Sequence, residues 1–327
     1  MTNTFIMLLV SVFILMAVYV VYMLIMSLWT IVVGLCLGFQ FLQFTFIGMS
    51  IKNDAGKLSF LVAPARLTAE TLIVKNDENG RDIIRLNVIE TVLTIITSIL
   101  TAFIMYKKYG MNNYIKSMFV CLFLVIVLNV YVVYTMLKEA FGTGVHHDLW
   151  EHTMIVKNRL VAGMRPADCE PMQMDDSITT PTADRCRLYN YYYYLDTKQY
   201  DELQAYITRF INIIGDINNV APSSVPYAYE IVYYYSVIQP NLTMAEHYYA
   251  LVSAWLEKDM DLNGRRVYAA YLYGTNKPLS SVKSTISQGI QRAGEDLGRP
   301  SVMRSFELQL LNELREKADN QNGGSAL

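Results

Sequence analysis

From Phe5 to Cys36 the chain runs through apolar side chains almost without interruption, FIMLLVSVFILMAVYVVYMLIMSLWTIVVGLC, and the first charged residue of the sequence is Lys52. One helix over residues 5–36 would rise roughly 48 Å, against a hydrocarbon core of roughly 30 Å. It therefore crosses a bilayer with residues to spare and must tilt, protrude or break near Gly34 and Gly38. The period then shortens. In FQFLQFTFIGMSI the positions Phe39, Phe41, Phe44 and Phe46 approach the two-residue alternation of a strand. The turn signal NDAG at 53–56 and the run KLSFLV come next, which predicts a β-hairpin over about 39–62, lying at the membrane interface, with Gly56 in the left-handed position. Two more spans are predicted at 86–106, where Glu90 is the single charge, and at 117–137, where there is none.

From His146 onward the pattern is helical. A helix near 147–163 leads into a polar loop holding Pro166, Pro171 and Pro181. Helical segments recur at about 184–196, 198–214, 226–238, 243–258, 263–273, 279–294 and 301–317, punctuated by GDINN, QPN, DLNG and NKP. Short helices with Tyr and Ala on their apolar faces predict stacked helical hairpins, tetratricopeptide-like in architecture but without a fixed repeat period. The predicted fold is thus a mostly α integral membrane protein. It has three transmembrane helices, or four if the first run breaks in two, a short interfacial β-hairpin and an α-helical-hairpin soluble domain. The domains expected are a membrane domain over 1–140, a soluble domain over 141–317 and a disordered tail over 318–327.

Charge follows the same division. Residues 1–137 carry 9 Lys/Arg and 6 Asp/Glu, net +3, while 138–327 carry 18 and 23, net −5, which sums to −2. A pI near 6.1, with no basic stripe and no zinc-finger spacing, argues against nucleic acid as a partner. Cys36 and Cys121 sit in apolar runs as small hydrophobes. Cys169 and Cys186 flank the Pro-containing loop and would pair only in an oxidising space. The N-terminal run lacks a basic n-region and exceeds the length of a signal-peptide core, so it is expected to remain in the mature protein. The loop KKYGMNNYIK, with Lys107, Lys108 and Lys116, is of the short basic kind that stays cytoplasmic, which would put the hairpin and the second half outside.

Candidate chemistry is sparse. In HHDLWEH, the His146–His152 cluster, His147 and Glu151 are four apart and share a helix face, while His152 lies about 140° from His147. These three are weak metal candidates, one residue away from an inverted zinc motif; the alternative is the polar start of an interfacial helix. Tyrosine is used heavily, with YYYY at 191–194 and YYY at 233–235. Tyr192 and Tyr234, with Arg265 and Arg266 after DLNG, are the candidate partner-binding residues. The alternatives are a tyrosine-rich helical core and a solvated helix start. Glu90, near Asn87 at the head of a span, is an intramembrane carboxyl and so a functional candidate; the alternative is a carboxylate in the first turn of its helix, where headgroups and the helix dipole make the charge inexpensive. Asn241-Leu-Thr is a glycosylation sequon where the host glycosylates.

The stretch from Gly34, GLCLGFQFLQFTFIGMSIKNDAGKLSF, resembles membrane zinc peptidases of the site-2 protease type, in particular a Gram-positive bacterial branch. There a membrane helix runs into a Gly-Leu-Leu-x-Gly-aromatic segment, an aromatic-rich strand and an Asp-Gly-Lys-like turn. Leu86-Asn87 is similar to that branch's Tyr-Asn-x-Gly-Gly segment, and VKNRLVAGMRPAD at 156–168 to the helix and loop after its last span. The resemblance covers about half the chain.

The departures carry the functional expectation. The family's His-Glu-x-x-His begins eight residues before the glycine matching Gly34, where this chain has Met26, Ser27, Leu28, Trp29 and Thr30. The third ligand, an Asp, would fall at Phe141–Thr143, where no carboxylate stands. Without imidazole or carboxylate ligands at those positions the family's zinc is not held and its water is not activated. The resemblance therefore implies a pseudoprotease with no catalytic residues and no cofactor in a bacterial plasma membrane. Such a protein would be an accessory, regulatory or scaffold subunit that meets the lipid bilayer, another membrane protein and a soluble protein. The family also implies a cytoplasmic second half, against the lysine loop. The alternatives are a membrane-surface metallohydrolase using the His146–His152 cluster, with Glu151 as base, and a subunit of an oligomeric transport component, for which Asn87, Glu90, Thr94 and Asn129 offer few polar groups.

Overall fold

The computed structural model describes residues 2–47, 49–54, 57–62, 69–75, 81–111, 113–142, 144–215, 220–295 and 303–323. It divides into two compact units, residues 1–158 and 159–327.

The first unit opens with α1 (Thr2–Cys36), which runs unbroken through the whole apolar stretch. It stops where Gly38 takes φ +81°, a conformation open to glycine because it has no Cβ. The Phe39 amide then bonds back to Gly34 O at 2.8 Å and the Gly38 amide to Leu35 O at 3.1 Å, a Schellman closure. Phe39 is buried directly behind it. Four strands come next, β1 (Gln40–Phe46), β2 (Met49–Asp54), β3 (Lys57–Val62) and β4 (Ala69–Val74), in an antiparallel sheet of order β3-β2-β1-β4. The predicted two-stranded hairpin is thus a larger sheet. Its first strand is cut in two by a turn at Ile47, where φ is 45°, and β4 closes its other edge. Gly56 lies outside the described residues.

Two long helices, α2 (Arg81–Tyr109) and α3 (Asn113–Ala140), pack with α1 and with each other. All three helices are long and apolar enough to cross a membrane, over Val12–Cys36, Asp82–Tyr109 and Asn113–Ala140. Lys75, just after β4, joins the end of α1 to the start of α2. Its ammonium bonds to Leu37 O at 2.7 Å, forms an ion pair with Asp82 and lies over the Phe39 ring. The sequence pattern assigns the next helix, α4 (Val145–Val161), to the second half. Instead Trp150 and Met154 are buried against Ile84 and Ala140 of the first unit.

The second unit is helical. It contains α5 (Pro181–Asp196), α6 (Tyr200–Ile214), α7 (Val225–Tyr233), α8 (Leu242–Leu256), α9 (Leu262–Gly274), α10 (Leu279–Glu295) and α11 (Arg304–Gly323). Thr180 accepts the Ala183 amide ahead of Pro181, so Pro181 opens a helix and does not belong to the preceding polar loop, and Asn241, the sequon asparagine, caps α8 by accepting the Met244 amide at 3.2 Å. The final turn of α7 widens into a π-helical turn over Tyr234–Ile238. Gly274 of α9 lies so close to this turn that a Cβ there would be 2.4 Å from Ser236 O. The helix α11 continues to Gly323, past residue 318 where a disordered tail is expected, because Ala318 is still in the core. Cys169 and Cys186 are both buried, and neither is joined in a disulfide.

The tyrosine runs fill this interior. Tyr191, Tyr192 and Tyr194 of α5 and Tyr233 and Tyr234 at the end of α7 are buried. Phe210 is the hub, with ring centroids 4.5 Å from Tyr227, 5.5 Å from Tyr191 and 6.3 Å from Tyr206. Consecutive tyrosines point around the helix, and the outward members Tyr193 and Tyr235 stay partly exposed.

Candidate functional site

The inward stripe of α2 is polar. Glu90, Thr94, Ser98 and Ala102, four residues apart, fall on one face with Thr91 beside them, and all are buried against α1 and α3. The opposite face shows Val92, Ile96, Ile99, Leu100 and Phe103, the apolar surface a helix presents to lipid. Glu90 Oε2 accepts a hydrogen bond from the Thr30 hydroxyl of α1, which also lies 3.0 Å from Met26 O. Asn129 of α3 donates from Nδ2 to the Met26 sulfur at 3.3 Å and accepts at Oδ1 from Thr91 at 3.5 Å. Trp29 Nε1 donates to Thr97 at 3.0 Å. Each helix is therefore bonded to another by side chains, at about 0.6 kcal/mol for an average contact of this kind in a membrane.

Met26, Ser27 and Thr30, which stand where the peptidase resemblance would place ligands and base, are on this inner face. Their groups are committed to the bundle: Thr30 to Glu90, Met26 to Asn129, and Ser27 O to the Thr71 hydroxyl of β4 at 3.3 Å. Phe141 is exposed, and Thr143 lies outside the described residues. Among the described residues no three His, Cys, Asp or Glu side chains converge as a metal site.

Toward the middle of the bundle the seam meets a cleft of 290 Å³ between α1, α2 and α3, with a wholly apolar lining surface. Tyr22 and Ser98 line it at 2 % and 4 % exposure, yet neither the Tyr22 Oη nor the Ser98 Oγ has a hydrogen-bond partner. The Thr94 hydroxyl, one turn from Ser98, is in the same condition.

A second cavity, of 440 Å³, lies between the start of α2, the end of α3 and α4, lined by Ile84, Arg85, Ala140, Phe141, His147, Trp150 and Glu151. His147 and Glu151 thus share one pocket, as their spacing predicts. His147 Nδ1 is engaged with Ala140 O, and His152 is not on the lining. Arg85, at the rim, pairs with Asp82 at 3.0 Å.

The four candidate partner-binding residues of the second unit, Tyr192, Tyr234, Arg265 and Arg266, present no docking surface, because all are buried. Arg265 donates to the carbonyls of Leu256, Glu257 and Asp259 at 2.6–2.9 Å, holding the α8–α9 corner, and burial pulls its pKa below the ordinary arginine value. Arg266 meets Glu230 at 2.5 Å, both at 0 % exposure, and lies 4.3 Å above the Tyr233 ring. Tyr192 donates to the same Glu230 Oε1 at 2.6 Å, and burial raises its phenol well above the usual range. Glu230 is the residue sequence reasoning missed. Its signal was a lone acid inside the apolar run VPYAYEIVYYY.

Exposed apolar surface outside the three long helices gathers on the sheet, where Leu58, Phe60 and Val62 of β3 are 66–84 % exposed. The register pairs Phe60 with Ile51 and Val62 with Met49, so these side chains share one face of the β2–β3 hairpin. Comparison of the chain with protein families, with curated proteins and with solved structures finds no match.

Proposed function

We propose that this chain is a non-catalytic integral membrane protein that works by binding, on a scaffold like that of the site-2 proteases. The membrane unit holds a spanning partner, and the helical unit, built of tetratricopeptide-like hairpins, recruits a soluble protein from the cytoplasmic side. It would serve as an accessory or regulatory subunit of a bacterial membrane complex. The observation that carries this is the condition of Met26, Ser27 and Thr30: their side chains or carbonyls hold helix to helix and helix to sheet. The exposed face of Leu58, Phe60 and Val62 supports a sheet resting in the bilayer interface beside α1. Purification in mild detergent followed by mass spectrometry tests the proposal. A stoichiometric membrane partner is expected, and recovery of the chain alone as a monomer would overturn it. So would near-stoichiometric zinc that His147→Ala and His152→Ala remove.

A second reading is favoured by one observation, the joint placement of His147 and Glu151 in the 440 Å³ pocket. There Glu151 would act as general base of a hydrolase at the membrane surface. It requires a peptide or lipid hydrolase activity that Glu151→Gln abolishes while the helical circular dichroism is unchanged.

A further inference from the structure

The 440 Å³ cavity between the start of α2, the end of α3 and α4 lies at one boundary of the membrane. Arg85 is three residues past Asp82, where the α2 span begins, and Ala140 is the last residue of the α3 span. Lipid headgroups occupy that level, at the edge of the hydrocarbon core. Polar as well as apolar atoms face into the cavity.

Its lining carries charges of both signs that do not meet each other. Arg85 pairs with Asp82 through Nη1 at 3.0 Å, and Asp82 is also the partner of Lys75, so these three groups leave one positive charge over. The Arg85 side chain is 65 % exposed and keeps further N–H donors. Glu151 is half-buried and forms no ion pair or hydrogen bond among the described residues. His147 adds a group of defined polarity. A carbonyl can only accept, so the contact with Ala140 O puts a proton on Nδ1, and in the neutral ring Nε2 is then a bare acceptor. The residues of the lining thus offer one cation and two acceptors, beside the aromatic surface of Trp150 and Phe141.

From Arg85 the same face of α2 continues through Ile89 and Val92, four and seven residues on, which are 40 % and 50 % exposed. A group held at Arg85 therefore has an apolar track leading into the membrane, which suits acyl chains.

We propose that this cavity binds the phosphoethanolamine headgroup of a phospholipid, with the phosphate on Arg85 and the primary ammonium on Glu151 and His147. The guanidinium fork matches phosphate oxygens. The aromatic walls attract any cation. The two acceptors select among cations, because a primary ammonium has three donors and a trimethylammonium none. A glycerol headgroup brings no counter-charge for Glu151. This binding needs no spanning partner, and it gives Glu151 a ligand to hold instead of a proton to remove.

The test uses the full chain, purified in detergent, stripped of lipid and mixed with equal amounts of dioleoyl phosphatidylethanolamine, phosphatidylcholine and phosphatidylglycerol, with retained lipid read by native mass spectrometry. Phosphatidylethanolamine is expected to be retained roughly tenfold over phosphatidylcholine, as two hydrogen bonds imply, and to exceed phosphatidylglycerol as well. Glu151→Gln should bring it down to the level of phosphatidylcholine. Arg85→Gln should weaken all three alike, since each carries the phosphate. Equal retention of the three lipids by the unmodified chain overturns the inference without any variant. So does a phosphatidylethanolamine preference that survives Glu151→Gln with helical circular dichroism unchanged. Free phosphoethanolamine, which has no chains to lay on Ile89 and Val92, should displace the lipid only in large excess; displacement at equal concentration assigns the cavity to a soluble ligand and overturns the lipid source. Recovery of a cleaved headgroup in place of intact lipid overturns the inference in favour of the hydrolase.

Discussion

Replacing Arg266 by Met should unfold the second unit far more readily than its conservative volume suggests. The guanidinium is fully buried, and so is the Glu230 carboxylate it meets at 2.5 Å. Removing the arginine leaves an anion in the core with Tyr192 Oη as its remaining donor, at 2.6 Å. Breaking a buried pair from one side costs about 3–5 kcal/mol. For a unit of this size each kcal/mol moves the midpoint by about 2–4 °C, so the loss should be roughly 6–20 °C. The pair is also poorly satisfied: Arg266 Nε and Nη1 and Glu230 Oε2 have no hydrogen-bond partner. Its own net contribution is therefore small, and the double replacement Arg266→Met, Glu230→Leu should recover most of the loss, leaving about 1–3 kcal/mol for the buried Tyr192 hydroxyl that no longer has its acceptor. Near-ultraviolet circular dichroism of the full chain in detergent tracks this, since buried tyrosines dominate the second unit. The reasoning fails if Arg266→Met costs less than about 1 kcal/mol, or if the double variant is as unstable as the two single losses added together.

Local geometry sets three further outcomes. Burial raises the Asp259 pKa above the ordinary carboxylate value, so folding favours its protonated form. That share of stability is present below the unfolded pKa and is lost as pH rises through the raised folded one; the midpoint of Asp259→Asn measured against the unmodified chain should climb across this window, and a constant difference would count against it. Gly274→Ala should destabilise by about 1–3 kcal/mol in thermal unfolding because its Cβ would meet the Ser236 backbone; Ala is otherwise about 1 kcal/mol better than Gly in a helix, so a stabilised variant would show the contact to be absent. Asn129→Leu removes the bonds to Thr91 and Met26 and should weaken the bundle by about 0.6–1.7 kcal/mol in mixed-micelle unfolding, with an unchanged midpoint as the contrary result.

The elements that hydrophobic period alone determines were legible in the chain. The spans expected at 86–106 and 117–137 are α2 and α3 with one added turn or so at each end. What period cannot report is the partner of a residue. The run from Phe39 to Ile51 alternates closely enough to look like one strand, but the turn at Ile47 folds it back on itself as the β1–β2 pair, while β4, far along the chain, takes the other edge of β1. Arg265 and Arg266 look like a solvated helix start because their partners, the carbonyls of the α8–α9 corner and Glu230, are 6–36 residues away. Glu90 was visible as an intramembrane carboxyl. Its bond to Thr30, 60 residues distant, was not.

The polar groups inside the three long helices divide into two sets, and the division bears on why they are there. Thr30, Glu90, Thr91, Trp29 and Asn129 bond across helices and are enough to explain how the bundle holds its register. Tyr22, Thr94 and Ser98 contribute no such bond and each buries an unmet hydroxyl, so a bundle shaped by stability alone would do better with Phe, Val and Ala. Those three lie toward one place: two line the cleft, and the third sits one turn away on the same face of α2. A cost borne at three positions along one seam is not repaid within the bundle, so stability alone does not explain the choice of these residues.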